Sequence, residues 1–334
     1  MRRVENPENP YERYSSEYLG EAPRARLEVY EETITGTVIS SSFDGTSRDR
    51  LTVNCYRGCI HACTYCFARR YHEFLGYGAG TDFETKIVAK INAPEVLRRE
   101  LKTTRRKIRK LEFSFATDPY IPIEATYQLT RRCLETCAEF GIRAIIVTKS
   151  PLVTRDIDVL KRMNAVVCFS IPFADTKSSK PFELYAPIPE ARFRAMKTVS
   201  DAGIPTGLAL APVIPGINDS QIPTLLETAR ENGASYAFMS LLHIDSESIA
   251  EYFIAKTREL VPTKVGRVIN ALKRERGGKL IHGTFAEREN GRTEQWNAAR
   301  KLFDMHFARL GYKEFMRREE EPVEKPIAVQ GRLF

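Results

Sequence analysis

The stretch Leu51-Thr-Val-Asn-Cys55-Tyr-Arg-Gly-Cys59-Ile-His-Ala-Cys63-Thr-Tyr-Cys66 places four cysteines directly after a short apolar run. The run Leu51–Asn54 reads as a β-strand, so the cysteines stand at its carboxyl end. In α/β proteins the loops after the strands converge at that edge of the sheet and carry the chemistry. The stretch therefore predicts a reactive, cysteine-rich site at the carboxyl edge of a sheet.

Apolar runs of strand length recur between residues 51 and 245 and predict one parallel sheet. Nearly every position in them is apolar, which is typical of strands buried on both faces. The predicted strands are Leu51–Asn54, Leu111–Ala116, Arg143–Val147, Ala165–Ser170, Thr206–Leu210 and Tyr236–Ser240. Helical patterns separate them at Ala93–Lys110, Thr126–Phe140, Thr154–Arg162, Arg192–Ala202 and Ser220–Asn232. This alternation indicates an α/β fold with right-handed crossovers, and the pattern leaves open whether the sheet closes.

The flanking segments predict four parts in the chain. Residues 1–50 are polar and form a predicted N-terminal extension with a hairpin around Thr35–Ser42. Residues 51–245 form the α/β domain. Residues 246–315 are expected to pack on it as helices at Ser246–Leu260, Lys264–Arg276 and Glu294–Leu310. Residues 316–334 are expected to form a flexible charged tail.

Composition narrows the class of protein. The 334 residues are 43% hydrophobic and 28% charged, as in soluble globular proteins. The longest apolar runs are too short to span a membrane, and the first residues lack the apolar stretch of a secretory signal. We therefore expect a cytoplasmic protein without membrane association. Seven cysteines, an odd number, argue against a disulfide framework and favour metal binding, and the net charge of +8 weakly favours a polyanionic partner.

Cys59, Cys63 and Cys66 are the predicted ligands of one iron–sulfur cluster, because such clusters are held by thiolates that lie close in sequence. Three thiolates on a four-iron cube leave one iron without a protein ligand, and an open position distinguishes catalytic from structural metal sites. The alternative is a structural zinc site with Cys55 as fourth ligand, although zinc ligands usually come as two separated pairs. Otherwise Cys55 is a buried neighbour or a supporting thiol.

With Tyr65 before its last cysteine, the C-x3-C-x2-C motif resembles the signature of radical S-adenosylmethionine (SAM) enzymes. The run from Asn54 to Arg69, continuing to His72-Glu-Phe-Leu-Gly76, is similar to the spore photoproduct lyase-like branch, often labelled "DNA repair photolyase". The similarity continues through Asp82–Lys90, Thr117–Glu124, Thr148–Pro151 and Ala211–Asp219, and spans residues from about 6 to 312. The resemblance implies a partial (β/α)6 barrel of the TIM type and one [4Fe-4S] cluster. It also implies that reductive cleavage of SAM yields a 5′-deoxyadenosyl radical, which abstracts hydrogen from a substrate.

Four residues are candidates for binding SAM. Lys149 ends the third strand, where a lysine points into the crevice and can meet the SAM carboxylate. Ser170 ends the fourth strand and is a candidate partner for the ribose hydroxyls. By resemblance, the backbone of Tyr65 contacts the adenine and the loop with Gly216 approaches it. Plain packing of Tyr65 and a simple Pro-Gly turn at Gly216 are the alternatives. His61, between two cluster ligands, is a candidate to hydrogen-bond a cluster sulfur.

The loop after the second strand carries the candidate substrate contacts Asp118, Tyr120 and Glu124, with solvated loop carboxylates as the alternative. Two departures from spore photoproduct lyase concern the same region. That enzyme returns a hydrogen atom to its product from a cysteine after the second strand, and Leu111–Glu124 contains none. The tyrosine that follows its last cluster cysteine is Phe67 here. These departures argue against repair of the spore-specific thymine dimer.

Two segments favour a nucleic-acid partner, or a protein partner that is itself bound to nucleic acid. Arg98–Lys110 reads as a basic helix whose cations could follow a phosphate backbone, or form a solvated face. The last residues, Gln330-Gly-Arg-Leu333-Phe334, resemble the bacterial sliding-clamp-binding peptide Gln-x-x-Leu-Phe, and a peptide at the end of a tail is free to enter a groove. The alternative is an apolar end that folds back.

We therefore expect an enzyme that acts on or near DNA, with the sliding clamp and a flavodoxin- or ferredoxin-type reductant as partners. Two other interpretations compete with this one. The first is a radical enzyme that modifies a peptide or protein. The second is a non-catalytic iron–sulfur or zinc protein recruited to DNA.

Overall fold

The computed structural model describes residues 26–43, 49–281 and 291–314. The predicted clamp-binding residues Gln330, Leu333 and Phe334 lie outside the described residues, as does the rest of the predicted charged tail, residues 316–334.

An eight-stranded sheet forms the centre of the molecule. The strands of the described ranges are β1 (Glu28–Glu32), β2 (Ile39–Phe43), β3 (Asp49–Val53), β4 (Tyr56–Arg57), β5 (Lys86–Lys90), β6 (Lys110–Phe113), β7 (Arg143–Thr148), β8 (Val166–Ser170), β9 (Thr206–Val213), β10 (Ala234–Leu241) and β11 (Lys313–Glu314). The order in the large sheet is β11-β10-β9-β8-β7-β6-β3-β2, and only β2 runs antiparallel to its neighbour. The six predicted strands correspond to the parallel strands β3, β6, β7, β8, β9 and β10. The edge strands β2 and β11 leave the sheet open, and the predicted partial (β/α)6 barrel is confirmed.

Helices connect these strands in the predicted alternation. Their bounds are α1 (Arg70–Glu73), α2 (Thr81–Thr85), α3 (Ala93–Thr103), α4 (Glu124–Tyr127), α5 (Leu129–Glu139), α6 (Ile157–Arg162), α7 (Thr176–Ser179), α8 (Pro189–Asp201), α9 (Ile222–Glu231), α10 (Glu247–Leu260), α11 (Val265–Glu275) and α12 (Glu294–Arg309), with 3-10 turns at Phe67–Arg69, Pro151–Asp156 and Asp219–Gln221. Caps fix two of the later helices: Ser246 accepts a hydrogen bond from the Ile249 N–H, and Thr293 accepts one from the Trp296 N–H. Within the described ranges, no helix has both the length and the apolar character needed to cross a bilayer.

The predicted basic helix Arg98–Lys110 is wrong beyond Thr103. Helix α3 ends there, Thr104 has an extended backbone, and the chain runs irregularly until β6 begins at Lys110. The β-branched threonines are weak helix formers, and the Thr103 hydroxyl bonds back to the Arg99 carbonyl oxygen at 3.0 Å. Because this segment precedes β6, it lies at the amino edge of the sheet, opposite the cysteine loop.

The N-terminal residues take a larger part in the fold than predicted. The hairpin joins β2 to β3, later in the chain than Thr35–Ser42. Strand β1 pairs in parallel with β5, which pairs with β4 to form a second, three-stranded sheet. The sequence did not predict this sheet, because β1 and β4 lack an apolar strand pattern and β1 is distant in sequence from its partner β5. Residues outside 51–245 thus supply both edges of the barrel sheet, β2 and β11.

The centre of the barrel sheet is tightly packed. All five residues of β8 are buried, as the continuous apolar run predicted. On β9, a Cβ added at Gly207 would lie 2.9 Å from Cys168 Sγ on β8 and 3.2 Å from Tyr236 Cβ on β10. A side chain at this position would therefore push neighbouring strands apart.

We predict that Gly207→Ala destabilises the protein by about 1–3 kcal/mol through overpacking. The matched control is Gly266→Ala in α11, where an added Cβ meets no atom within 4 Å. That change should stabilise the helix by about 0.5–1 kcal/mol, because alanine is the better helix former. Urea denaturation measures both free energies of unfolding. Equal effects of the two substitutions would contradict the close packing at Gly207.

Candidate active site

The cysteine loop begins at a position that only glycine can occupy. Gly58 has φ +77°, and a Cβ there would lie 3.0 Å from the carbonyl oxygens of Phe83 and Lys86. The next residue, Cys59, donates its backbone N–H to the Phe83 carbonyl oxygen at 2.8 Å. The loop is thus fixed directly against the segment that leads into β5.

A buried arginine holds the middle of the same loop. The Arg69 guanidinium donates to the Cys63 carbonyl oxygen at 2.8 and 3.1 Å and pairs with Glu84 at 2.7 Å. It also lies over the rings of Tyr252 and Phe83, at 4.0 and 5.1 Å from their centroids. The sequence did not predict a role for Arg69, because no local pattern marks an arginine three residues after a cysteine as buried.

Three thiols of the loop face a water-poor environment. Cys59 and Cys63 are buried and Cys66 is partly buried. Burial raises the pKa of all three thiols, that of Cys63 to about 12 even though the nearby Lys149 charge lowers it. A thiolate in such a place needs a cationic partner, so three sulfur donors here fit an iron–sulfur cluster by their chemistry.

Cys55 has a different environment from these three. It is buried, and its Sγ lies 3.6 Å from Cys133 Sγ on α5. This contact favours the interpretation of Cys55 as a buried, packed neighbour of the other three thiols. Among the residues described, no group of three or more Cys, His, Asp or Glu side chains could hold a single metal ion. The ligands of a cube bind separate iron atoms, so their thiols need not meet at one point.

The structure brings Tyr65, Lys149 and Ser170 together beside Cys63. Lys149 Nζ donates to Ser170 Oγ at 2.8 Å and lies 5.6 Å from the centroid of the Tyr65 ring. Lys149 and Ser170 are at the carboxyl ends of the adjacent parallel strands β7 and β8. Their positions at strand ends were therefore sufficient to predict a shared location.

Two further residues of this group were missed by the sequence analysis. Glu183 and Arg192 form a buried ion pair, and Glu183 also accepts the hydroxyl hydrogen of Tyr65. Burial alone would raise the pKa of Glu183, but the charges of Arg192 and Lys149 lower it below its ordinary value, so the carboxylate is ionised. Both residues lie between β8 and β9, in a segment that no motif singled out.

Asp118 is not a solvated loop carboxylate. It accepts hydrogen bonds from the Thr148 hydroxyl at 2.6 Å and from the backbone N–H groups of Lys149 and Tyr120 at 2.7 and 2.9 Å. His61 Nδ1 lies 3.5 Å from the same carboxylate. Burial lowers the pKa of His61 although Asp118 opposes that shift, so the ring is neutral near pH 7. Asp118 thus ties the loops after β6 and β7 to the cysteine loop.

Glu124 is a structural residue, and its assignment as a substrate contact is wrong. Its side chain is fully buried and accepts bonds from Tyr56, Arg155 and the N–H groups of Thr130 and Arg131. The carboxylate therefore caps α5 and has no open face. The side chain of Tyr120 is likewise completely buried and presents no surface to a substrate.

Gly216 lies in the turn after β9 with φ +78°, and its N–H donates to Asp219 at 3.1 Å. A Cβ there would lie 3.6 Å from the Arg267 side chain on α11. These contacts place Gly216 at the carboxyl edge of the sheet, against the C-terminal helices rather than in the Lys149 group. Its contact with the adenine stays a prediction.

Comparisons with known proteins agree with this geometry. The family model of the radical SAM superfamily matches residues 53–229, more than half of the chain. A Mycobacterium tuberculosis protein is 34% identical over 201 residues, 58% of this chain and 59% of its own length. A Methanocaldococcus jannaschii protein is 27% identical over 235 residues, 68% of this chain and 87% of its own length. The chain therefore covers less than two thirds of the mycobacterial relative.

Solved structures of spore photoproduct lyase share the fold. The lyase complexed with dinucleoside spore photoproduct is 17% identical and gives a TM-score of 0.62, covering 86% of this chain and 81% of the lyase. A variant of the lyase with bound AdoMet and the same dinucleoside gives a TM-score of 0.61 over the same shares of the two chains. The family, fold and cofactors predicted from the cysteine motif are thereby confirmed. We conclude that the chain belongs to the radical SAM superfamily, whose enzymes use a [4Fe-4S] cluster and SAM.

Proposed function

We propose that this protein uses Cys59, Cys63 and Cys66 to hold one [4Fe-4S] cluster, cleaves SAM reductively and abstracts hydrogen from a substrate associated with DNA. The observation that carries the proposal is the group of two buried thiols and one partly buried thiol beside the Lys149–Ser170 pair at the carboxyl edge of the barrel. This arrangement supplies soft donors for iron and a cation for a carboxylate at the same edge of the sheet.

The residues of the site have separate roles in binding and positioning. When bound, the cluster and SAM supply the electron and the 5′-deoxyadenosyl radical. Lys149 provides the charge that attracts the SAM carboxylate, and Ser170 is a hydroxyl partner for the ribose. Arg69 and Gly58 fix the cysteine loop, and the buried surroundings exclude water from a reactive radical.

DNA association is supported by charge as well as by the shared fold. Residues 101–111 contain no Asp or Glu, and the exposed cations there are Lys102, Arg105, Arg106, Lys107, Arg109 and Lys110. Two carboxylates close to the segment have other partners: Glu100 accepts the N–H groups of Val38 and Ile39, and Glu139 pairs with Arg98. The segment therefore presents excess positive charge, which is the footprint of phosphate binding.

The position of this basic segment defines what it can do. It lies at the amino edge of the sheet, so phosphates bound there would anchor the enzyme on DNA away from the cysteine loop. We further propose a flavodoxin- or ferredoxin-type reductant, a cytoplasmic location, and recruitment by the sliding clamp through Gln330, Leu333 and Phe334. The clamp proposal rests on the sequence alone.

Cluster assembly should depend on each of the three thiols. Changing any one of Cys59, Cys63 or Cys66 to Ala should abolish cluster assembly and the release of 5′-deoxyadenosine, because the three thiolates have no substitute. Cys55→Ala is the matched control and should keep most of the iron, since its thiol packs against Cys133. Iron analysis after anaerobic reconstitution, followed by dithionite and SAM, measures both. Zinc in place of iron, or complete loss of iron in Cys55→Ala, would refute the ligand assignment.

DNA binding should depend on the basic segment. The triple substitution of Arg105, Lys107 and Lys110 by Ala should weaken binding of a fluorescein-labelled duplex and lower the slope of log K against log salt by about 3, one unit for each lost phosphate contact. Release of 5′-deoxyadenosine without DNA should not change, because the segment lies opposite the cysteine loop.

The control for this experiment removes the same charges elsewhere. Arg194, Lys273 and Lys301 are exposed on helices, and their replacement by Ala removes one arginine and two lysines. Fluorescence anisotropy should show a smaller loss for this control than for the basic segment. Equal losses would mean that only net charge matters, and the absence of salt-dependent binding in the wild type would favour a peptide or protein substrate.

A further inference from the structure

A buried carboxylate that no motif predicted lies within the group of residues proposed to bind SAM. The side chain of Glu183 is 1% exposed. Its backbone forms a β-bridge with Cys63, and the Phe182 carbonyl oxygen accepts the Thr64 N–H at 2.9 Å. Glu183 is therefore attached to the cysteine loop through its main chain, and its carboxylate has a fixed starting point.

The carboxylate is held by fixed partners on both oxygens. Oε1 accepts a hydrogen bond from the Tyr65 hydroxyl, and Oε2 accepts one from Arg192 Nη2. Arg192 is itself immobilised, because it donates to the carbonyl oxygens of Ser170 at 2.9 Å and Pro187 at 2.7 Å. The ion pair thus connects the cysteine loop to the end of β8 through bonds of defined direction.

Lys149 has the most flexible side chain of the group, and the Glu183 carboxylate lies close to its ammonium. Lys149 Nζ lies 3.8 Å from Glu183 Oε1 while it donates to Ser170 Oγ at 2.8 Å. A lysine ammonium on a four-carbon stem has many rotamers, so a nearby buried anion selects among them. Without that anion, Lys149 and Arg192 would be two cations near each other in a site with little water.

The charge count shows why this restraint does not remove the function of Lys149. Arg192 pairs directly with Glu183 and neutralises it, so the group of Glu183, Arg192 and Lys149 keeps one net positive charge. That charge resides on Lys149, which is 13% exposed, and it stays available to a ligand carboxylate. A direct salt bridge to Lys149 alone would instead have cancelled it.

We propose that Glu183 is a positioning residue, which holds the Lys149 ammonium where it meets the SAM carboxylate. This inference deepens the proposed function and rests on it. Glu183 acts through Lys149, so its contribution to SAM affinity should disappear when Lys149 has no charge.

A double-mutant cycle tests this coupling. SAM affinity is measured by anaerobic isothermal titration calorimetry on reconstituted wild type, Glu183→Gln, Lys149→Met and the double variant. Glu183→Gln should weaken SAM binding by about 10-fold in the wild-type background and by no more than about 3-fold in the Lys149→Met background. Iron content should stay at the wild-type level in all variants. The control Glu190→Gln removes an exposed carboxylate of α8, which bonds Thr176, and should leave the affinity unchanged.

Three results would overturn the inference. Wild-type affinity in Glu183→Gln would show that the carboxylate does not position Lys149. The same loss in both backgrounds would show that it acts by another route. Loss of iron in Glu183→Gln would show that Glu183 is needed to fold the cysteine loop rather than to position Lys149. A wild-type protein that does not bind SAM would instead refute the proposed function, and the inference with it.

Discussion

The removal of three thiols from water is the constraint on which the rest of this structure depends. Cys59, Cys63 and Cys66 lie where burial disfavours the thiolate form. A strong positive charge would stabilise three thiolates in such a place, and the iron of the proposed cluster would supply it. The surrounding protein therefore has to hold the loop in shape.

That shape comes from contacts outside the loop. Arg69 uses its whole guanidinium on backbone oxygens, on Glu84 and on two rings, and Gly58 lets the chain pass close to the strand β5. Glu183 and Asp118 join the loop to the ends of β8 and β7. The open barrel supplies these ends at one edge, because its parallel strands all finish there. The strand ends of the barrel therefore hold the cysteine loop directly.

The parts of this arrangement that the sequence predicted are those with a local signal. Continuous apolar runs identified the six parallel strands, and the strand ends identified Lys149 and Ser170 as residues of one edge, where the structure brings them together beside the cysteine loop. Arg69, Glu183 and Arg192 had no such signal, since a buried charge is recognised only by partners distant in sequence. Glu124 was assigned to substrate because a loop carboxylate looks the same in sequence whether it faces solvent or caps a buried helix. The second sheet was missed for the same reason, because β1 and β5 are more than fifty residues apart.

The central claim is that one iron of a cluster held by three thiolates is open to SAM. Electron paramagnetic resonance of the dithionite-reduced, reconstituted protein tests it most directly, with spectra recorded before and after SAM is added. The account predicts a reduced [4Fe-4S] signal that changes when SAM binds to the open iron. A signal that SAM leaves unaltered, or a protein that holds zinc and gives no signal, would contradict it.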